Sequence, residues 1–102
     1  MTPLEVVATD DPRRYCLVGE LDMYSVDELS EGLQPQVAAG GDLRLDLSEL
    51  TFIDSSGIRA LFQLNVQLED GTLILERPSP FAQRVMGVLG VGESLDGPRI
   101  GD

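Results

Sequence analysis

The hydrophobic period changes partway through residues 43–68, and this change restricts the fold more than any other feature of the chain. Leu43, Leu45 and Leu47 alternate with Arg44 and Asp46, so residues 43–48 read as a strand with a buried face. Ile58, Leu61, Phe62 and Val66, flanked by Leu68, then follow helical spacing, which predicts an amphipathic helix ending near Glu69-Asp70 with Gly71 as its stop. Residues 72–76 return to a strand pattern. A strand, a helix and a strand in that order require a crossover connection, which places the two strands parallel in one sheet.

The segments upstream extend this pattern. Strands are expected over residues 4–8 and about 14–18, joined by a turn at Asp10-Asp11-Pro12 into an amino-terminal hairpin. Ser25-Val26-Asp27-Glu28 has the form of a capping box, and Tyr24 and Leu29 stand where a hydrophobic staple would need them. Val26, Leu29, Leu33 and Val37 supply the apolar stripe of a helix that stops before Gly40-Gly41. Pro35 lies inside that helix, and its missing amide and bulky ring predict a kink or an early end. Ser79-Pro80 opens a third helix, which glycines 87, 90 and 92 should break up, and residues 93–102 read as a loose tail. The order β-β-α-β-α-β-α implies an α/β fold with right-handed crossovers.

Composition bounds what such a fold can do. A chain of 102 residues with 42% hydrophobic content buries roughly 60–70% of its unfolded surface in one core, so a single domain over residues 1–102 is expected. Eighteen acidic residues against seven basic ones, all arginine, give a net charge of −11. That charge repels phosphate backbones and anionic headgroups, which argues against nucleic-acid and electrostatic membrane binding. No basic stretch followed by an apolar one opens the chain and no apolar run reaches membrane-spanning length, so a cytoplasmic location and no direct membrane insertion are expected. Cys16 is the only cysteine and there is no histidine, which leaves no disulfide, no Ser-His-Asp triad and no ordinary zinc site. Cys16 itself reads as a small buried apolar group, and neither a metal nor a cofactor is expected.

The remaining constellation is Asp54-Ser55-Ser56-Gly57, where strand gives way to helix. Free amides and the positive end of the helix dipole collect at such a junction and stabilise an oxyanion. One carboxylate or hydroxyl suffices to cap a helix, and this junction has three in a row followed by a glycine. No general base other than a carboxylate lies near the serines, so no enzymatic activity is expected. A P-loop is also absent, and the chain has not one lysine.

The run LRLDLSELTFIDSSGIRAL (residues 43–61), preceded by LVGELDMYSVDEL (residues 17–29), resembles the STAS domain family and, within it, the bacterial anti-sigma-factor antagonists. The resemblance covers about residues 4–90. It implies an α/β domain with a four- or five-stranded mixed sheet and about three helices packed mainly on one face, here without the family's final helix. It also implies a binding module switched by phosphorylation, with Ser55 as the phosphoacceptor. Its partner would be an anti-sigma factor that is also a serine kinase, and a serine phosphatase would reset it. By the same resemblance the docking face contains Glu20, Asp22, Asp54, Ser56, Gly57 and Arg59. A scaffold role in a signalling assembly and an accessory role in a membrane transport system are the alternatives, and the oligomeric state is open.

Overall fold

The computed structural model describes residues 3–88, 92–94 and 97–99. Strands β1 (Glu5–Ala8) and β2 (Arg14–Leu21) lead into helix α1 (Val26–Ala39), then β3 (Leu43–Ile53), α2 (Ser55–Gln67), β4 (Leu73–Glu76) and α3 (Pro80–Val88). The order inferred from the sequence is thus observed. Two three-residue strands follow, β5 (Gly92–Ser94) and β6 (Gly97–Arg99). The sheet order is β1-β2-β3-β4-β6-β5. β2, β3 and β4 run parallel and β1 is antiparallel at one edge, a four-stranded mixed core in line with the expected four or five strands, within a sheet of six. The β5–β6 hairpin extends the other edge through Ile74–Arg99 pairing, so part of the segment read as a loose tail is instead recruited as strand. Whether Met86, Leu89 and Val91 are left partly uncovered or close the core, both of which their apolar character allows in sequence, lies outside the described residues.

One core holds these elements together. Leu17 and Leu21 of β2, Leu43, Leu45 and Leu47 of β3, and Leu73 and Leu75 of β4 are fully buried beneath Leu29 and Leu33 of α1 and Leu61 of α2. Fully burying a leucine contributes about 1.5–3 kcal/mol, so this layer dominates the stability. α1 does not end at Pro35 but runs on to Ala39. Pro35 and Glu31, whose carbonyl loses its usual donor, are both exposed, so water can satisfy that carbonyl while Leu33 and Val37 anchor the helix on either side. Gly40, with φ of 75°, ends it. α2 ends at Gln67, earlier than expected, and the left-handed residue in the turn beyond is Asp70 rather than Gly71. Gly71 has a different role: a Cβ there would lie 2.1 Å from the Gly41 backbone, so two glycine segments cross in contact. α3 continues through Gly87 to Val88, capped by the Ser79 hydroxyl, which accepts from the Ala82 amide at 3.2 Å.

The opposite face of the sheet is charged. Arg14 of β2 and Arg44 of β3 both bind Glu76 of β4, at 2.8 and 3.1 Å, tying three parallel strands together across one carboxylate. Asp46, only 4% exposed, accepts from the Ser48 amide at 2.8 Å and pairs with Arg77, which adopts a left-handed backbone (φ 46°). Cys16 pairs in register with Asp46 on this side, half-buried instead of in the core as its alternation first suggested, because Leu17, Gly19 and Leu21 hold the inward positions. Desolvation, with the neighbouring Asp46 carboxylate, pushes the Cys16 thiol up from its ordinary value and keeps it protonated.

Burial acts to raise the Asp46 carboxyl, but the Ser48 amide and the Arg77 guanidinium outweigh it and hold the group below the usual aspartate value. A depressed folded value contributes stability that is present above the unfolded value, near pH ~3.9, and is lost as the pH falls through the folded one. Asp46→Asn should therefore be less stable than the wild type by about 1 kcal/mol at neutral pH, with the gap closing below about pH 4. Thermal melts of both proteins from pH 7 to pH 2 check this, and a gap that stays constant throughout would contradict it.

Among the described residues, no helix is long and apolar enough to cross a membrane.

Candidate functional site

β2 and β3 end side by side, with Leu21 paired to Ile53, so the loops that leave them are neighbours. β3 reaches this point by an irregular route. Between the Cys16–Asp46 and Leu21–Ile53 pairs, β2 advances five residues (16 to 21) and β3 seven (46 to 53), and the difference is absorbed by two register shifts. The Asp54 amide then donates to the Leu21 carbonyl at 3.3 Å, which joins the two loops.

Asp54 is the residue that caps α2. Its backbone is extended (φ −116°, ψ −173°), its carbonyl accepts the first helical bond from the Ile58 amide at 3.0 Å, and its carboxylate accepts from the Gly57 amide at 3.0 Å. Neither serine is used for capping. Ser55, the first residue of the helix, is exposed, and Ser56 is half-exposed. Among the described residues, neither hydroxyl has an internal hydrogen-bond partner. The amides of this first turn have no partner within the helix, and the dipole adds partial positive charge, so a dianion on Ser55 meets a favourable field on the helix side and the Asp54 carboxylate on the other.

Gly57 is required by space. A Cβ at this position would sit 2.6 Å from the Leu21 carbonyl oxygen and 2.8–2.9 Å from the side chains of Leu21 and Ile53. The absent side chain lets the start of α2 rest directly on the end of β2.

The neighbouring loop is tightly organised. The Asp22 carbonyl accepts from the amides of Ser25 and Val26, both at 3.1 Å, and its carboxylate accepts from the Tyr24 amide at 2.9 Å. Ser25, placed as an N-cap, makes no side-chain cap bond. Its hydroxyl accepts from the Asp22 amide at 3.0 Å and donates to the Glu20 carbonyl at 2.8 Å. The capping box is therefore not formed: the serine hydroxyl closes the loop instead, and the Ser25 amide that Glu28 would take in such a box donates to the Asp22 carbonyl. The staple is not formed either, because Tyr24 is 71% exposed while Leu29 is fully buried.

Of the residues anticipated from the sequence, Asp54, Ser55, Ser56 and Gly57 form the junction itself, and Arg59 is exposed one turn along α2. Asp22 is beside them through Leu21, but it is 9% exposed with its carboxylate turned into its own loop. The half-buried Glu20 lies between the inward-facing Gly19 and Leu21, so its side chain leaves on the charged side of the sheet. Three residues read as core or staple are at the surface instead. Tyr24 and Val66 (83% exposed) are largely in solvent and Phe62 is partly so, while Leu64, outside the expected stripe, is buried with Ile58 and Leu61. Met23, 62% exposed, was not singled out at all. It lines a cleft of about 200 Å³ with Val26, Ser56, Arg59, Ala60 and Gln63. A second cleft of about 410 Å³ continues along α2 between Arg59, Phe62, Gln63, Val66 and Gln67.

Known proteins are similar to this chain in sequence and fold. The anti-sigma-B factor antagonist of Bacillus subtilis (strain 168) is 32% identical over 83 residues, covering 78% of this chain and 75% of that protein. The structure titled "Structure of the Anti-Sigma Factor Antagonist SpoIIAA in its Unphosphorylated Form" superposes with a TM-score of 0.68 at 24% identity, over 85% of this chain and 80% of that one. Residues 5–97 match the family described as "Mlab, STAS domain", and with a strand-to-helix junction built as described above, the chain belongs to the STAS domain family.

Proposed function

We propose that this protein is an anti-sigma-factor antagonist, a cytoplasmic binding module without catalytic activity of its own. In this reading its unphosphorylated form holds an anti-sigma factor that is also a serine kinase, which frees a sigma factor. Phosphorylation of Ser55 by that kinase releases the complex, and a serine phosphatase restores the binding form. The observation that carries the reading is that Asp54 alone caps α2, leaving the Ser55 hydroxyl exposed and unbonded at the positive end of a helix. The name of the Bacillus subtilis relative supports the same reading.

The test is incubation of the purified protein with each anti-sigma-factor serine kinase of its source organism and ATP, followed by phosphopeptide mapping. Phosphate on Ser55, and none in Ser55→Ala, is the expected result. Phosphate on Ser56 alone would reassign the acceptor. No phosphate from any kinase, together with co-purification with a membrane ATPase, would favour the transport-accessory role instead.

A further inference from the structure

The charged face of the sheet sets like charges side by side. Arg14 and Arg44 are register partners on adjoining strands, and so are Asp46 and Glu76. Like charges next to one another oppose strand pairing, so this arrangement costs stability that an apolar or alternating pattern would keep. Arg77 adds a second cost. It holds φ at 46° directly before Pro78, a left-handed backbone under pre-proline restriction that only the surrounding contacts can maintain. Strain of this kind collects where a side chain has to be aimed.

What is aimed here is a pair of guanidinium groups. Arg14, Asp46, Glu76 and Arg77 line a cleft of about 320 Å³. Asp46 pairs with Cys16, five residues before Leu21 on β2, so the cleft lies about 16 Å from the end of the sheet that carries the junction. Its acceptors are nearly used up. A carboxylate offers roughly four acceptor sites; Glu76 fills three with Arg14 and Arg44, and Asp46 fills three with the Ser48 amide and Arg77. Its donors are not. Arg14 and Arg77 each engage only Nε and Nη2, so Nη1 of both is without a hydrogen bond among the described residues. The unmet capacity is therefore mostly donor, and a negatively charged acceptor satisfies it best.

We propose that this cleft binds a small oxyanion, a phosphate or a short dicarboxylate, through the Nη1 groups of Arg14 and Arg77. Asp46 and Glu76 are positioning residues: each grips the Nε and Nη2 edge of one guanidinium and leaves the other edge for the ligand. Asp46, buried and anchored on the Ser48 amide, is a fixed mount for Arg77. The net charge of −11 works against long-range attraction of an anion, and forked, charge-assisted bonding at close range outweighs it. Binding here requires nothing of the function proposed for Ser55.

The experiment is a two-dimensional amide NMR titration of the full chain with sodium phosphate and, separately, sodium succinate, against sodium chloride at matched ionic strength. Wild type, Arg14→Gln, Arg77→Gln and, as a control for lost charge, Arg84→Gln are compared. Arg84 is exposed on α3 and does not line the cleft. The amides of Cys16, Asp46 and Arg77 should shift saturably with at least one of the two anions, with a dissociation constant of about 1 mM or tighter, and not with chloride. Each cleft variant should bind at least about tenfold more weakly, and Arg84→Gln should stay within about twofold of the wild type. The same spectra report folding, so if one glutamine variant loses the dispersed native pattern, the other and the wild type decide. No saturable shift with either anion overturns the proposal. So do equal affinities of the wild type and the folded cleft variants, and so do shifts confined to residues 54–58, which would put the anion at the start of α2 instead.

Discussion

Ser55→Asp should fold as the wild type does and bind the anti-sigma kinase at least about tenfold more weakly, a loss of roughly 1.4 kcal/mol. The two halves of this expectation have different origins. Folding is unaffected because the hydroxyl is exposed and makes no internal bond, and a negative group at the first position of a helix is favourably placed. Binding suffers because the added charge adjoins Asp54 on a surface that the unphosphorylated partner complex would have to cover. Phosphate brings about −1.5 to −2 charges and three acceptor oxygens, so the true phospho-form should bind more weakly still than the Asp variant. Ser55→Ala should bind normally and resist the switch. Equal affinity of the unmodified and phosphorylated proteins, measured with the same kinase, would remove the basis for calling the site a switch.

Gly57→Val should be the most damaging single change in the site, destabilising the protein by about 3 kcal/mol or more. The clash is with backbone as well as side chain: the Leu21 carbonyl oxygen, 2.6 Å from the added Cβ, lies at the end of β2 and already accepts the Asp54 amide. It cannot turn aside without parting the two loops. For a domain of this size, each kcal/mol lowers the melting temperature by roughly 4–8 °C, so a fall of more than about 10 °C is expected. Gly57→Ala should show the same effect in smaller degree. A melting temperature for Gly57→Val within about 2 °C of the wild type would mean that α2 can lift off β2 at little cost. That finding would undercut the description of the site as a rigid junction.

Much of this arrangement was legible in the sequence, for identifiable reasons. Strand alternation in Leu43, Leu45 and Leu47 and the glycines after α1 gave the start of β3 and the end of α1 correctly, because each depends on local chemistry. β3 itself runs on to Ile53, past the expected end at residue 48, through a stretch whose register shifts break the alternation. The Asp54-Ser55-Ser56-Gly57 junction was found the same way, although the sequence could not say which of three oxygens caps the helix. The misreadings have a common cause. Phe62 and Val66 fit a helical stripe about as well as Leu64 does, and only the direction in which α2 lies on the sheet decides between them. Ser25 and Glu28 have capping-box spacing, but the serine hydroxyl found stronger use between Glu20 and Asp22, residues brought within its reach by the loop's fold. Pro35 was misjudged because its tolerance depends on Glu31 being at the surface, which is a property of the packed molecule. The strands β5 and β6 escaped notice because three-residue segments with glycine and proline carry almost no periodic signal.

The two surplus residues that β3 absorbs between Asp46 and Ile53 have an evolutionary reading. They set the phase with which the chain arrives at the end of the sheet, and hence which of two adjacent hydroxyls stands outermost. Losing or gaining one residue within 47–52 would leave the composition of the site untouched while advancing or retarding every group beyond it by a single step. Point substitutions at the junction would alter the strength of the acceptor proposed above, whereas a one-residue indel upstream would exchange the proposed acceptor itself. Diverging copies of this domain should therefore keep the length of this segment fixed even where its side chains drift.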